Sequence, residues 1–246
     1  MPRIVAPFFP GVRWCAKSAL IQDTPVVRAE GAQGVGAAGS ADGAPPALMT
    51  HARRGPFWSS RWGSFGRSWN VILKTPRLIL DGWKSSDWTA FRPIAQDVEV
   101  MRYITGGTPW SEEQIRGFVD RQVKLYAERG FCRWRLVEES SGEPIGFCGV
   151  GFWRDGLEPE IGWWLARRFW GRGLATEAAR CALQDAFERV RLERVISVAA
   201  VDNLASLRVM EKLGLKLECE FEGEGMRLVR YAIERDRYAA GGGIRP

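Results

Sequence analysis

The residues best suited to chemistry lie in one stretch, Glu160 to Glu177, which reads EIGWWLARRFWGRGLATE. A carboxylate, Glu160, heads a short apolar run, Ile161 to Leu165. A basic turn punctuated by glycine follows (Arg167, Arg168, Gly171, Arg172, Gly173), and a helical pattern opens at Leu174. Amides at a helix N-terminus carry partial positive charge and spare donors, so such a turn suits a pyrophosphate. Glycine lets the backbone approach phosphate oxygens closely, and flanking arginines add charge. Standing alone, the same glycines also read as a plain turn before a helix. Glu160 has the position of a general base; a solvated strand end or an ion-pair partner is its other reading.

Composition removes several alternatives. The chain has 246 residues and a formal net charge of +6. Residues 1–70 hold eight Lys+Arg against three Asp+Glu, which leaves 27 against 26 for residues 71–246. The basicity therefore belongs to the first seventy residues, and a nucleic-acid-binding face on the remainder loses most of its support. The single histidine is His51, so residues 71–246 offer no Ser/His/Asp or Cys/His nucleophile and no His-ligated metal. Five widely spaced cysteines without a C-x-x-C pair read as reduced thiols of a cytoplasmic protein. No apolar run is long enough to span a membrane.

The elements that must position the chemistry begin near Val71. Residues 1–70, rich in Gly, Ala and Pro in their middle, read as a disordered basic leader. Their Arg/Trp stretch would also stack on single-stranded nucleic acid, the less favoured reading. Arg77–Trp83 alternates as a first strand, and a helix is expected over Trp88–Gln96. Ser111-Glu-Glu-Gln114 is a capping box opening a helix to Arg129, stopped by Gly130. Cys132–Glu138 and Pro144–Trp153 form a hairpin. After the strand Glu160–Leu165 comes a helix whose stripe Ala179, Ala182, Leu183, Ala186, Phe187, Val190 faces a sheet. A strand over Arg194–Ala200, a short helix capped by Asn203, and a closing hairpin (Leu215–Glu222, Met226–Glu234) complete the domain, with 238–246 as a flexible tail. The expectation is a mixed α/β domain over 71–237 with helices on both faces.

Three blocks resemble one family. Thr75-Pro-Arg77-Leu-Ile-Leu80, the block Glu160-Ile-Gly-Trp-Trp-Leu165 with Trp170-Gly-Arg-Gly-Leu-Ala-Thr-Glu177, and Asp202-Asn203-Leu-Ala-Ser206 through Gly214 occur in order and correctly spaced. Together they are similar to the GNAT (GCN5-related N-acetyltransferase) superfamily, in its RimJ/RimL-like subgroup of ribosomal-protein N-acetyltransferases. That resemblance implies a mostly antiparallel sheet splayed between the family's strands 4 and 5, with a bulge in strand 4, here Glu160–Leu165. It implies acetyl-CoA as co-substrate and a primary amine as acceptor, foremost a protein N-terminal α-amine. A small-molecule amine, or a non-catalytic acyl-CoA-binding module, is the alternative.

Carried over residue by residue, Trp163, Trp164 and Leu165 contact the pantetheine through their backbone. Arg168, Phe169, Trp170, Gly171, Arg172, Gly173, Leu174, Ala175 and Thr176 cradle the pyrophosphate. Asn203 reaches the pantetheine arm, Ser206 sits near the thioester sulfur, and Glu160 is the base. Many relatives place a tyrosine acid where this chain has Met210, which cannot donate a proton. Tyr103, Trp110 and Trp153 are expected to line an acceptor cleft or to be core, and the run Glu218, Glu220, Glu222, Glu224 to be a solvated strand face or an attractor of cations.

Overall fold

Residues 71–153, 158–223 and 225–240 are described by the computed structural model. The leader expected over 1–70, with His51 and the Arg/Trp stretch, lies outside them, as do Glu224 and the end of the expected tail, 241–246. The elements are β1 (Leu73–Lys74), β2 (Leu78–Asp81), α1 (Trp88–Ala95), α2 (Val98–Met101), α3 (Glu112–Arg129), β3 (Arg133–Glu138), β4 (Pro144–Phe152) and β5 (Pro159–Leu165). They continue with α4 (Leu174–Glu188), β6 (Arg194–Ala200), α5 (Leu204–Lys212), β7 (Lys216–Gly223), β8 (Met226–Glu234) and α6 (Arg235–Ala240). One sheet runs β1-β2-β3-β4-β5-β6-β8-β7. Every neighbouring pair is antiparallel except β5–β6, which is parallel. This is the mixed, mostly antiparallel α/β sheet expected from the sequence.

Local signals explain the helices that hold the site. The capping box at α3 closes in both directions, with Gln114 N donating to Ser111 Oγ and Ser111 N to Gln114 Oε1, and Gly130 ends the helix in the left-handed region. The α4 stripe Ala179, Ala182, Leu183, Ala186, Phe187, Val190 is buried throughout. Side chains alternate across a strand, so the sheet has two distinct faces. Phe147 and Trp164 meet Phe91 and Phe118 on the α1/α3 face (centroids 5.0–6.3 Å). Cys148 points the other way, where Cys181 of α4 is its electrostatic neighbour.

Three features depart from expectation. A two-residue strand, β1, precedes the expected first strand, which forms as β2, and α6 extends past residue 237. Tyr238 of α6 is buried with its ring 5.0 Å from Phe187, so the expected tail begins inside a docked helix. The expected bulge in Glu160–Leu165 is not there: β4 and β5 pair without interruption from Gly146↔Leu165 to Phe152↔Pro159. Register shifts fall instead at Leu136/Val137 and at Leu217/Cys219. Gly146 has φ +151°, and a Cβ there would sit 1.9 Å from the Trp164 carbonyl oxygen. Glycine in β4 thus lets the β5 backbone approach closely.

Candidate active site

The gap between β5 and β6 is set by one pairing. Their ladder contains the single register pair Glu160↔Ile196, after which the strands part. Just past it, Ser197 Oγ donates to the Ile161 carbonyl at 3.0 Å, the last tie across the opening. An antiparallel ladder turns alternate residues toward and away from its partner. Ala166 N donates to Ile145 O, which puts Ala166 and Trp164 on the β4 side and turns the backbone groups of Trp163 and Leu165 toward the gap. The Leu165 carbonyl is taken by the Trp170 indole, Nε1 to O 2.8 Å. Of the two neighbouring tryptophans, Trp164 is held in the aromatic cluster, 4.7 Å from Trp110 and 5.2 Å from Phe147.

At the far end of β5 a 3₁₀ turn, Arg167–Phe169, leads through Trp170 into the glycine turn. Gly171 (φ +73°) and Gly173 (φ +77°) both adopt the left-handed region, and Gly173 is the N-cap of α4. A Cβ at Gly171 would meet nothing within 4 Å, and at Gly173 only Arg77 Nη2 at 3.8 Å, so the turn faces open space. Phe169, Leu174 and Thr176 are buried and Ala175 half-buried, which anchors the backbone. Phe169 N and Trp170 N are spent inside the turn, on Ala166 O at 2.9 Å and Arg167 O at 3.0 Å, which leaves the amides from Gly171 onward as the cradle's donors. An open cradle of amides beside arginines fits a pyrophosphate. The arginines are themselves held: Arg168 pairs with Glu143, Arg172 with Glu138 at 2.9 Å, and Arg167 with Asp97 at 3.7 Å.

A clasp beneath the turn joins two of the blocks singled out in the sequence. Glu177, in the first turn of α4, accepts from Thr75 Oγ1 (2.6 Å), Arg77 N (3.1 Å) and Arg77 Nε (2.7 Å). Burial works against ionisation of Glu177, but the Thr75 and Arg77 hydrogen bonds and the Arg77 charge outweigh it and hold its carboxyl below the ordinary range. A depressed pKa stabilises the fold at pH above the unfolded value and ceases to do so as pH falls through the folded one. The stability difference between wild type and Glu177→Gln is therefore expected to be full at neutral pH and to shrink below the ordinary value of 4.5. Thermal unfolding of both proteins across that range measures it.

The opposite end of the gap carries the carboxylate. Glu160 lies five residues before Leu165, about 16 Å along an extended strand. Its carboxylate is ion-paired with Arg133 of β3, and both side chains are mostly covered. Arg133 is further fixed by its own N–H to Gln122 Oε1 at 3.1 Å. Glycines make room for its guanidinium: a Cβ at Gly151 would lie 3.2 Å from it, and one at Gly162 3.5 Å. Arg133 escaped the sequence reading, because an arginine in a hairpin strand looks solvated until the sheet places it opposite Glu160.

Helix α5 flanks the gap. Asn203 caps it, with Oδ1 accepting from Ser206 N at 3.2 Å, and Ser206 is half-buried. Through the register Glu160↔Ile196, Ile196↔Ala232 and Lys216↔Ala232, the start of β7 lies level with Glu160. The helix before it therefore runs back along the opening. Met210 on α5 is 1 % exposed.

Glu218 and Glu220 of the last hairpin are neutralised by neighbours. Glu218 pairs with Arg194 (2.6 Å) and Arg230 (3.2 Å), and Glu220 with Arg227 (2.9 Å). Glu158 joins the same arginines and so ties the start of β5 to β6 and β8. Trp153 meets Phe221 edge-on at 5.8 Å, and Tyr103 lies under the Arg102 guanidinium at 5.5 Å. Burial pushes the Cys132 and Cys148 thiols up and the Cys181 thiol to about 11, so none of these three supplies a thiolate nucleophile.

Comparison with known proteins agrees with this geometry. Residues 77–216 match the family model described as an acetyltransferase (GNAT) domain. The uncharacterised N-acetyltransferase YnaD of Bacillus subtilis (strain 168) is 29 % identical over 150 residues, covering 61 % of this chain and 85 % of YnaD. The crystal structure of a GNAT-family acetyltransferase from Bacillus anthracis superposes with a TM-score of 0.58 at 27 % identity, covering 68 % of this chain and 99 % of that one. The ribosomal L7/L12 alpha-N-protein acetyltransferase RimL, solved with coenzyme A, shares the fold at a TM-score of 0.57 and 19 % identity, over 67 % of this chain and 98 % of its own. A family model spanning most of the folded region, a sheet parted beside a basic glycine turn, and relatives covered over most of their length lead to one conclusion: this chain belongs to the GNAT family and is an acetyl-CoA-dependent N-acetyltransferase.

Proposed function

We propose that the acceptor is a protein N-terminal α-amine, acetylated by direct attack on the thioester of acetyl-CoA. The observation that carries this is the Arg133–Glu160 pair. A carboxylate already bridged by a guanidinium is suited to orienting a water, not to stripping a proton from a strongly basic ammonium. An α-amine, with a pKa of about 7.7–8.0, is partly neutral near pH 7, whereas a lysine at about 10.4 is not. The neutralised acids Glu158, Glu218 and Glu220 also argue against a polyamine, since a polycation calls for carboxylates without resident arginines.

In this reading acetyl-CoA supplies an activated acetyl group with a thiol leaving group. The amides of Gly171 to Thr176 hold the pyrophosphate, and the Trp163 backbone with the Leu165 N–H pairs with the pantetheine arm. A gap-facing amide of β5 receives the developing oxyanion. Asn203, its Oδ1 committed to the cap, presents its Nδ2 to the same arm. Ser206 stands nearest the sulfur by position. A thiolate with a pKa of about 8.5 leaves without full protonation, so Met210 in place of a tyrosine is compatible with turnover.

The test is an acceptor panel read by release of free thiol from acetyl-CoA. Peptides with a free N-terminus are expected to turn over, and the same peptides blocked at the N-terminus but carrying lysine are not. Turnover with spermidine or aminoglycosides and none with peptides would reject the α-amine assignment. Hydrolysis-level rates with every amine would favour a binding module.

A further inference from the structure

From the clasp beneath the phosphate turn we infer that Arg77 is a positioning residue for the pyrophosphate site, acting from the β1–β2 turn on the peptide plane that joins Arg172 to Gly173. The inference rests on the reading of Gly171–Thr176 as the pyrophosphate cradle. Arg77 Nη1 donates to the Arg172 carbonyl oxygen at 3.0 Å, while Nε and N bind Glu177 at 2.7 and 3.1 Å. One side chain thus grips the turn on its last carbonyl and the helix on its first-turn carboxylate.

The consequence follows from peptide geometry. The peptides of the described residues are trans, and in a trans peptide the C=O and N–H of one plane point in opposite directions. Drawing the Arg172 oxygen toward Arg77 therefore aims the Gly173 N–H away from it. Gly173 is the N-cap of α4, with the left-handed φ of +77° that glycine tolerates and that leaves its plane free to flip. Arg172 spends its own guanidinium on Glu138. Arg77 also cancels the Glu177 carboxylate, which would otherwise repel an anion at the start of α4. Thr75 completes the arrangement, its Oγ1 donating to Glu177 at 2.6 Å and accepting from Leu78 N at 3.0 Å, so that the tight β1–β2 turn presents Arg77 at a fixed angle.

The two effects separate in a double mutant. Arg77→Met is expected to weaken acetyl-CoA about tenfold in KM and in calorimetric Kd, with kcat and the acceptor KM nearly unchanged. Arg77→Lys keeps the charge but has no fork to span both partners, and is expected to restore less than half of that loss. If Arg77 merely neutralised Glu177, Arg77→Met/Glu177→Gln would return to the wild-type KM; as an orientation lock it leaves the KM raised. A purely structural clasp would instead lower the melting temperature and kcat without a selective change in acetyl-CoA binding, and that result overturns the inference. Should Arg77→Met fold poorly, Arg77→Lys carries the same comparison. Gly173→Val serves as the reference: a raised KM there with no change at Arg77 rejects the positioning role alone. No change in either rejects the cradle and the positioning role together.

Discussion

Gly173→Val is expected to raise the KM for acetyl-CoA by about fiftyfold while changing the acceptor KM little. The cause is conformational, not steric. A Cβ at this position would meet only the Arg77 guanidinium at an ordinary contact distance. The left-handed φ of +77°, however, is strained for any residue with a side chain and most for a β-branched one. Valine relieves that strain by turning the peptide, which withdraws one amide from the cradle and pulls the next out of line. Steady-state kinetics with acetyl-CoA varied at saturating acceptor measures the effect. An unchanged KM would contradict the phosphate role of the turn.

Glu160→Gln is expected to lower kcat by about a hundredfold, the usual contribution of one positioned base. Glutamine still accepts from Arg133, so the hairpin and β5 keep their tie and the melting temperature should move little. The KM for acetyl-CoA, governed at the other end of the gap, should stay within about twofold of wild type. The diagnostic is the acceptor series: the loss should shrink as the pKa of the attacking amine falls, because a more neutral amine needs less help. A kcat that is unaffected, together with a lower melting temperature, would make Glu160 an ion-pair partner and nothing more.

Much of the scaffold was legible in the sequence because its signals are local. The Ser111–Gln114 box, the Gly130 stop, the small-residue stripe of α4 and the strand over Arg194–Ala200 each depend on residues within a few positions of one another. The glycine turn belongs with them, since its glycines and its helix start are adjacent. What the sequence did not disclose is long-range. Arg133 meets Glu160 across 27 positions and Arg77 meets Glu177 across 100, and a charged side chain gives no hint of its partner until the sheet is assembled. The bulge expected in β5 is replaced by an unbroken β4–β5 ladder, and the need for glycine at position 146 shows only once the Trp164 carbonyl is placed beside it. Helix α6 was hidden by the glycines that follow it, while its anchor, Tyr238, finds Phe187 some fifty positions earlier.

Sheets are vulnerable at their rims, where unpaired strands invite other chains to add on. This sheet blunts both rims: β1 is two residues long, and β7 carries Lys216, Glu218, Glu220 and Glu222 together with a register shift. Its one inviting edge lies in the interior, along β5 beyond Glu160, with β6 as the opposite bank. A polypeptide entering there would have to push side chains into α4 on one face and the Phe147–Trp164 cluster on the other. A slender chain of amides and methylenes carries no such side chains. Among the described residues, that edge would suit a thread-like ligand better than a polypeptide, and strand addition would then serve small-molecule recognition.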